Sequence, residues 1–363
     1  MLTVAAVGWF GRQPPPPPPP PESLLSSPIV VALVVSFCSL PILMYLLRGK
    51  AADSQKFSML NPGSAAMSEH SLLLDPGSSN GLRLIAFSIT AYVSLTFAVF
   101  TFTESTRGLS QHEHMACVLT LTLQIASLLH DAIARLRMSE SERDTHRCVV
   151  AVKVLAALTN TMLCFMPSTP FIVDTITGRP NSMLRWAEWT TLAFTMTFIV
   201  EAIDSTEART PILAAASQSL STLCGLLLPA ASTFPVVWVG LLVVSFTLYY
   251  IIFSRASTKR HNLQLMRGSL PPDSYGLVRA ELGMRLLWQC VFTWSALTAV
   301  WTTDVIVSVF VARGATDWCF IADCAIDCVA KALYTTAIME QTDTAALFSR
   351  TRKESRKRSK LHW

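Results

Sequence analysis

Lys331 lies inside a long apolar stretch, Trp318 to Met339, that otherwise reads as a membrane span. A charged side chain at bilayer depth costs roughly 3 kcal/mol on insertion scales, so such a residue marks a functional site by default. Asp327 precedes it by four residues. On a helix that spacing puts both groups on one face, about one turn apart. Two readings stand: a neutralised structural ion pair, or a reactive amine beside its counter-charge. A second span, 182–203, begins Ser-Met-Leu-Arg-Trp-Ala-Glu-Trp. There Arg185 and Glu188 are three apart and share a face, with Trp186 and Trp189 flanking the glutamate. A glutamate two turns inside a membrane helix needs a cation, which Lys331 or Arg185 can supply. A third span carries Trp294 and Trp301, seven apart and stacked on one face. Alone they read either as packing or as one wall of a ligand pocket.

The elements that must position these residues are membrane helices. Hydrophobic residues make up 51% of the 363, charged residues only 15%, and mean hydropathy is +0.43. A soluble domain carries roughly 25% charged residues. The net charge of +5 does not point to nucleic acid. Its basic residues fall in short clusters between apolar runs, at 48–50, 135–147, 255–267 and 350–360, as the positive-inside rule expects. The nine cysteines have no CxxC spacing and lie mostly in apolar runs. A disulfide framework or a metal site is not expected, and buried cysteine as a small hydrophobe is.

Along the chain, residues 1–27 include the run Pro14 to Pro21 and read as a proline-rich, extended amino-terminal segment. Residues 28–47 are long and apolar enough for a transmembrane helix, and 48–80 form a polar linker. Further spans are expected at 81–104, 113–137, 147–173, 182–203, 210–231, 234–254, 283–311 and 317–342. That gives nine spans, or eight if residues 28–47 do not cross. The spans are too long and too continuously apolar for barrel strands of about ten residues. The predicted fold class is therefore an all-α membrane bundle. Residues 346–363 form a basic tail, either a cytoplasmic linker or an anchor to anionic lipid.

Taken together, these motifs resemble the microbial (type I) rhodopsins over roughly residues 110–345. Arg185-Trp-Ala-Glu188-Trp189 resembles the third of that family's seven helices. Trp294-Ser-Ala…Trp301 resembles the sixth, and Asp327-Cys-Val-Ala-Lys331 the seventh. The resemblance implies a seven-helix bundle with one or two extra amino-terminal helices. It also implies all-trans retinal, held on Lys331 as a protonated Schiff base. Glu188 and Asp327 would be its counterions, with Arg185 compensating the second negative charge. Trp186, Trp189, Ala193, Trp294, Leu297, Thr298 and Trp301 would line the pocket. Tyrosine and proline are more usual where Leu297 and Thr298 stand, so the pocket departs in shape and polarity.

The same alignment bears on what light would do. A proton pump of this family needs a carboxylate donor eleven residues after the counterion, and Ile199 stands there. Leu192 replaces a threonine, and Cys319 replaces a release-group carboxylate. A glutamate-lined cation channel fits poorly, since span 147–173 has Lys153 and no glutamate. The combination of Glu188, Asp327 and extra amino-terminal helices is most similar to the rhodopsin domains of enzyme-linked rhodopsins. That implies a photosensory module for a fused or associated cytoplasmic cyclic-nucleotide enzyme, with no catalytic domain in this chain. The alternative is a light-gated channel or a light-driven transporter. A multi-pass location with a cytoplasmic carboxy terminus is expected, with the lipid bilayer as one partner and a homo-oligomer as another.

Overall fold

The protein is described here by a computed structural model, which describes residues 80–135, 143–202, 205, 208–271, 275–310 and 318–332. The expected amino-terminal span at 28–47 and the basic tail at 346–363 lie outside the described residues. Eight helices account for most of the rest. They are α1 Asn80–Phe102, α2 Gln111–Arg135, α3 Arg143–Phe165, α4 Met183–Ala202, α5 Arg209–Ala231, α6 Pro235–Ser269, α7 Tyr275–Phe310 and α8, residues 318–332. Among the described residues six of them, α1, α2, α3, α5, α6 and α7, are long and apolar enough to cross a membrane. The chain is an all-α, multi-pass membrane bundle.

The burial pattern inverts that of a soluble bundle. Large apolar side chains such as Phe97, Phe102 and Val236 point outward, where lipid is as good a solvent as another leucine. Many charged and hydroxyl groups, among them Lys153, Ser88 and Thr195, are buried inside. α4 is the central helix: Arg185, Glu188 and Glu201 are all buried. Its 20 residues are enough for a bilayer of about 30 Å.

The expected span 147–173 is helical only to Phe165. Pro167 follows, and the residue before a proline is pushed out of the helical region. The chain then turns into β2, Thr169–Val173, and β3, Pro180–Ser182. These pair antiparallel, with Phe171 opposite Ser182 and Val173 opposite Pro180. β1, Thr106–Arg107, adds to the other side of β2, so the connection from α1 to α2 is stitched to this hairpin. The Arg107 guanidinium lies 4.4 Å from the Phe171 ring centroid and bonds Glu113 at 2.6 Å.

The hairpin turn is held by Asp174. Its carboxylate accepts from the backbone N–H groups of Ile176 and Thr177, each at 2.9 Å, and from Trp238 Nε1 at 2.8 Å. Burial pushes its carboxyl above the ordinary range, and these donors pull it back. Gly178 takes φ 73°, where a side chain would be strained. The turn delivers Arg179 into the bundle and leads through β3 directly into α4.

α1 packs on α3 and α4. Ser88 and Thr195 hydroxyls meet at 2.7 Å, and Tyr92 and Thr159 hydroxyls at 2.8 Å. α6 and α7 run longer than the expected 234–254 and 283–311, ending at Ser269 and beginning at Tyr275. The hydropathy signal marks only the part of each helix that is apolar throughout.

Candidate functional site

Lys331 is 3% exposed and sits at the centre of a buried charge cluster. Its Nζ donates to Asp327 Oδ2 at 2.5 Å and also to Glu188 Oε1. The two carboxylates come from different helices, α8 and α4. Arg185 completes the group: Nη1 donates to Glu188 Oε2 at 3.0 Å and lies 3.7 Å from Asp327 Oδ2. Two cations and two carboxylates make the cluster neutral, which is what allows it at membrane depth. Trp189 Nε1 donates to Asp327 Oδ1 at 3.1 Å, satisfying the second oxygen.

The cluster continues away from Lys331. Arg185 Nη2 donates to Asn160 Oδ1 at 2.8 Å, and Asn160 Nδ2 donates to Gln124 Oε1 at 3.0 Å. A polar chain thus crosses from α8 through α4 and α3 to α2. Separately, Lys153 on α3 pairs with Asp131 on α2 at 2.5 Å and bonds Ser127. Lys153 is therefore a paired intramembrane cation outside the Lys331 cluster.

A largely apolar cavity opens beside Lys331 between α4, α5, α6, α7 and α8. Trp186, Trp189, Ala193, Trp294, Leu297, Thr298, Trp301, Asp327 and Lys331 all line this cavity. Arg185 faces a second, smaller cavity on its hairpin side, and Glu188 is fully enclosed behind Lys331. Ile199 is fully buried in the core. Glu201 is turned to α6, bonded to Arg255 at 2.7 Å and 3.8 Å from Lys259. Thr298, where the resemblance leads one to expect proline, donates its hydroxyl to Tyr249 at 3.1 Å.

Sequence reasoning missed several lining groups. Gln218, Ser221 and Ser245 put polar atoms on the cavity wall formed by α5 and α6, and nothing in their spacing separates them from ordinary helix polarity. Asp323 and Arg179 also line it. Asp323 had a readable signal: with Asp327 and Lys331 it forms a ladder at four-residue intervals on one helix face.

Gly225 closes one wall. A Cβ placed there would lie 2.3 Å from Cζ3 of Trp186, so this ring position exists only because residue 225 has no side chain. Gly225→Ala is expected to displace Trp186 and to cost about 1–3 kcal/mol, the usual range for overpacking. Thermal denaturation in membranes checks this, and an unchanged midpoint would mean the ring moves freely.

No family model and no curated protein matches the sequence. Solved structures do match. The transmembrane domain of Salpingoeca rosetta rhodopsin phosphodiesterase is 17% identical, with a TM-score of 0.54 over 72% of this chain and 96% of that one. The same domain with its linker region is 14% identical, with a TM-score of 0.60 over 78% and 90%. The light-driven proton pump rhodopsin of Coccomyxa subellipsoidea is 12% identical, with a TM-score of 0.51 over 64% and 97%. With α4 and α8 carrying the cluster and five helices enclosing the cavity, this chain has the fold of the microbial rhodopsins.

Proposed function

We propose that the protein is a retinal-binding photoreceptor. The observation that carries this is the meeting of a buried lysine amine, two carboxylates from separate helices and an aromatic-lined cavity at one point. Those residues fit retinal. Lys331 is the one primary amine lining the cavity among the described residues. Trp189, Trp294 and Trp301 offer flat apolar walls to a polyene. Retinal, once attached to Lys331, would supply absorption of visible light and isomerisation. Glu188 and Asp327 would keep the attached nitrogen protonated, and Arg185 would hold the two carboxylates apart from each other's charge. All-trans retinal is the isomer we assign.

Signalling through helix movement is the reading we favour, with the cytoplasmic carboxy-terminal tail leading to a fused or associated enzyme. The cytoplasmic half of α4 supports it. Ile199 offers no proton, and Glu201 is held by Arg255 and Lys259. A light-gated conductance is the second reading, favoured by the polar chain Gln124–Asn160–Arg185 and the Lys153–Asp131 pair between α2 and α3. Whole-cell recording with retinal separates them. A sensor is expected to pass no sustained photocurrent, and a robust current would overturn that reading in favour of the conductance.

A further inference from the structure

Among the described residues three buried charge clusters balance, and a fourth, Glu201 with Arg255 and Lys259, has a cation to spare. Lys331 and Arg185 balance Glu188 and Asp327. Lys153 balances Asp131, and Arg107 balances Glu113. Arg179, 6% exposed, faces two carboxylates: Asp304 on α7 and Asp323 on α8. That trio carries one negative charge too many for a site shielded from bulk water.

The two carboxylates are not equivalent. Arg179 Nε donates directly to Asp304 Oδ2. Asp323 Oδ2 is 3.7 Å from Arg179 Nη2, beyond hydrogen-bond range, and the Asp323 carboxylate makes no hydrogen bond among the described residues. Asp323 is nevertheless only 9% exposed. It lines both the large cavity and the small one beside the hairpin. Around the small cavity, buried polar atoms stand without partners: Arg179 Nη1, Arg185 Nε, Asp304 Oδ1 and Ser182 Oγ. Such a set of donors and acceptors suits enclosed water. The other titratable or charged groups around Asp323 are Arg185 on α4, Glu113 on α2, which lines the same small cavity and is paired with Arg107, and Asp327 and Cys319 on its own helix. Arg185 already serves Glu188 and Asp327, and the Cys319 thiol points to the Val300 carbonyl at 3.5 Å. No spare cation is present in the trio to neutralise the second carboxylate.

We infer that Asp323 is a proton-binding site, a carboxylic acid that stays neutral at neutral pH and exchanges its proton through the hydrated cavity beside Arg179 and Asp304. It lies two helical turns from Lys331 along α8, so its protonation state adds or removes a charge in the wall of the main cavity. The inference does not rest on retinal, because Lys331 counts as one positive charge either as free ammonium or in a protonated linkage.

The test uses the full chain in membranes, without retinal, by infrared spectroscopy with the aspartate carboxyls carbon-13 labelled. Wild type is expected to show a labelled carboxylic C=O band at neutral pH that shifts in D2O. In Asp323→Glu that labelled band is replaced by an unlabelled glutamate band. In Asp304→Asn it disappears, because Arg179 is left with one carboxylate and Asp323 ionises to meet it. The absence of the band in wild type overturns the inference. So does a labelled band that persists in Asp323→Glu, or one that survives in Asp304→Asn.

Discussion

Lys331→Ala, expressed in membranes and supplied with all-trans retinal, is expected to have no visible absorption band, where wild type has one. Every other residue lining the cavity among those described lacks a primary amine, so no second attachment point is at hand. The substitution also leaves two buried carboxylates with Arg185 as their one cation. Breaking a buried ion pair by removing one partner costs about 3–5 kcal/mol. Lys331→Arg separates the two effects. It keeps the charge and most of the stability, yet is expected to lack the band as completely as the alanine variant. A wild type that stays colourless with retinal would refute the photoreceptor reading outright.

The second large effect is at Glu188. Glu188→Gln is expected to move the visible band to the red and to make the pigment lose its chromophore proton at lower pH. The sign follows from charge. A carboxylate beside the protonated nitrogen stabilises the charged form, so removing it favours release of the proton. A buried partner worth about 3 kcal/mol corresponds to about 2 pH units. Asp327 remains 2.5 Å from Lys331 Nζ and limits the loss. The pH titration of the visible band measures it. An unmoved titration would assign the counterion role to Asp327 alone.

Much of this was legible in the chain because bilayer depth makes charge expensive. Spacing alone paired Lys331 with Asp327 and Arg185 with Glu188, since a lone charge in an apolar run demands a partner, while the joining of the two pairs was expected only from the resemblance. The helical extents were legible for the same reason, within the limits of hydropathy. The end of span 147–173 was not. Pro167 stops the helix, and the apolar residues after it belong to a strand. Arg179 and Asp304 were not legible either. One sits in a hairpin loop, where a charge costs nothing by sequence, and the other near the end of a long helix. Only the turn held by Asp174 and Gly178 brings Arg179 to Asp304. Asp323 was visible in principle but hidden by Asp327, which answers the same lysine at closer range.

α1 bears on the smallest unit that folds. A fragment trimmed to begin at α2 would uncover the hydroxyls of Thr159 and Thr195 to hydrocarbon. Each has a second partner on its own helix, Leu155 O at 3.3 Å and Thr191 O at 3.1 Å. The hydroxyls themselves would therefore stay satisfied after trimming. What the fragment would lose is shape: the buried footprints of Leu84, Tyr92 and Val99 would have to be filled by lipid chains, which conform to such a groove less closely than a fitted helix. Trimmed protein is thus expected to be sensitive to acyl-chain length and detergent in a way that the intact bundle is not.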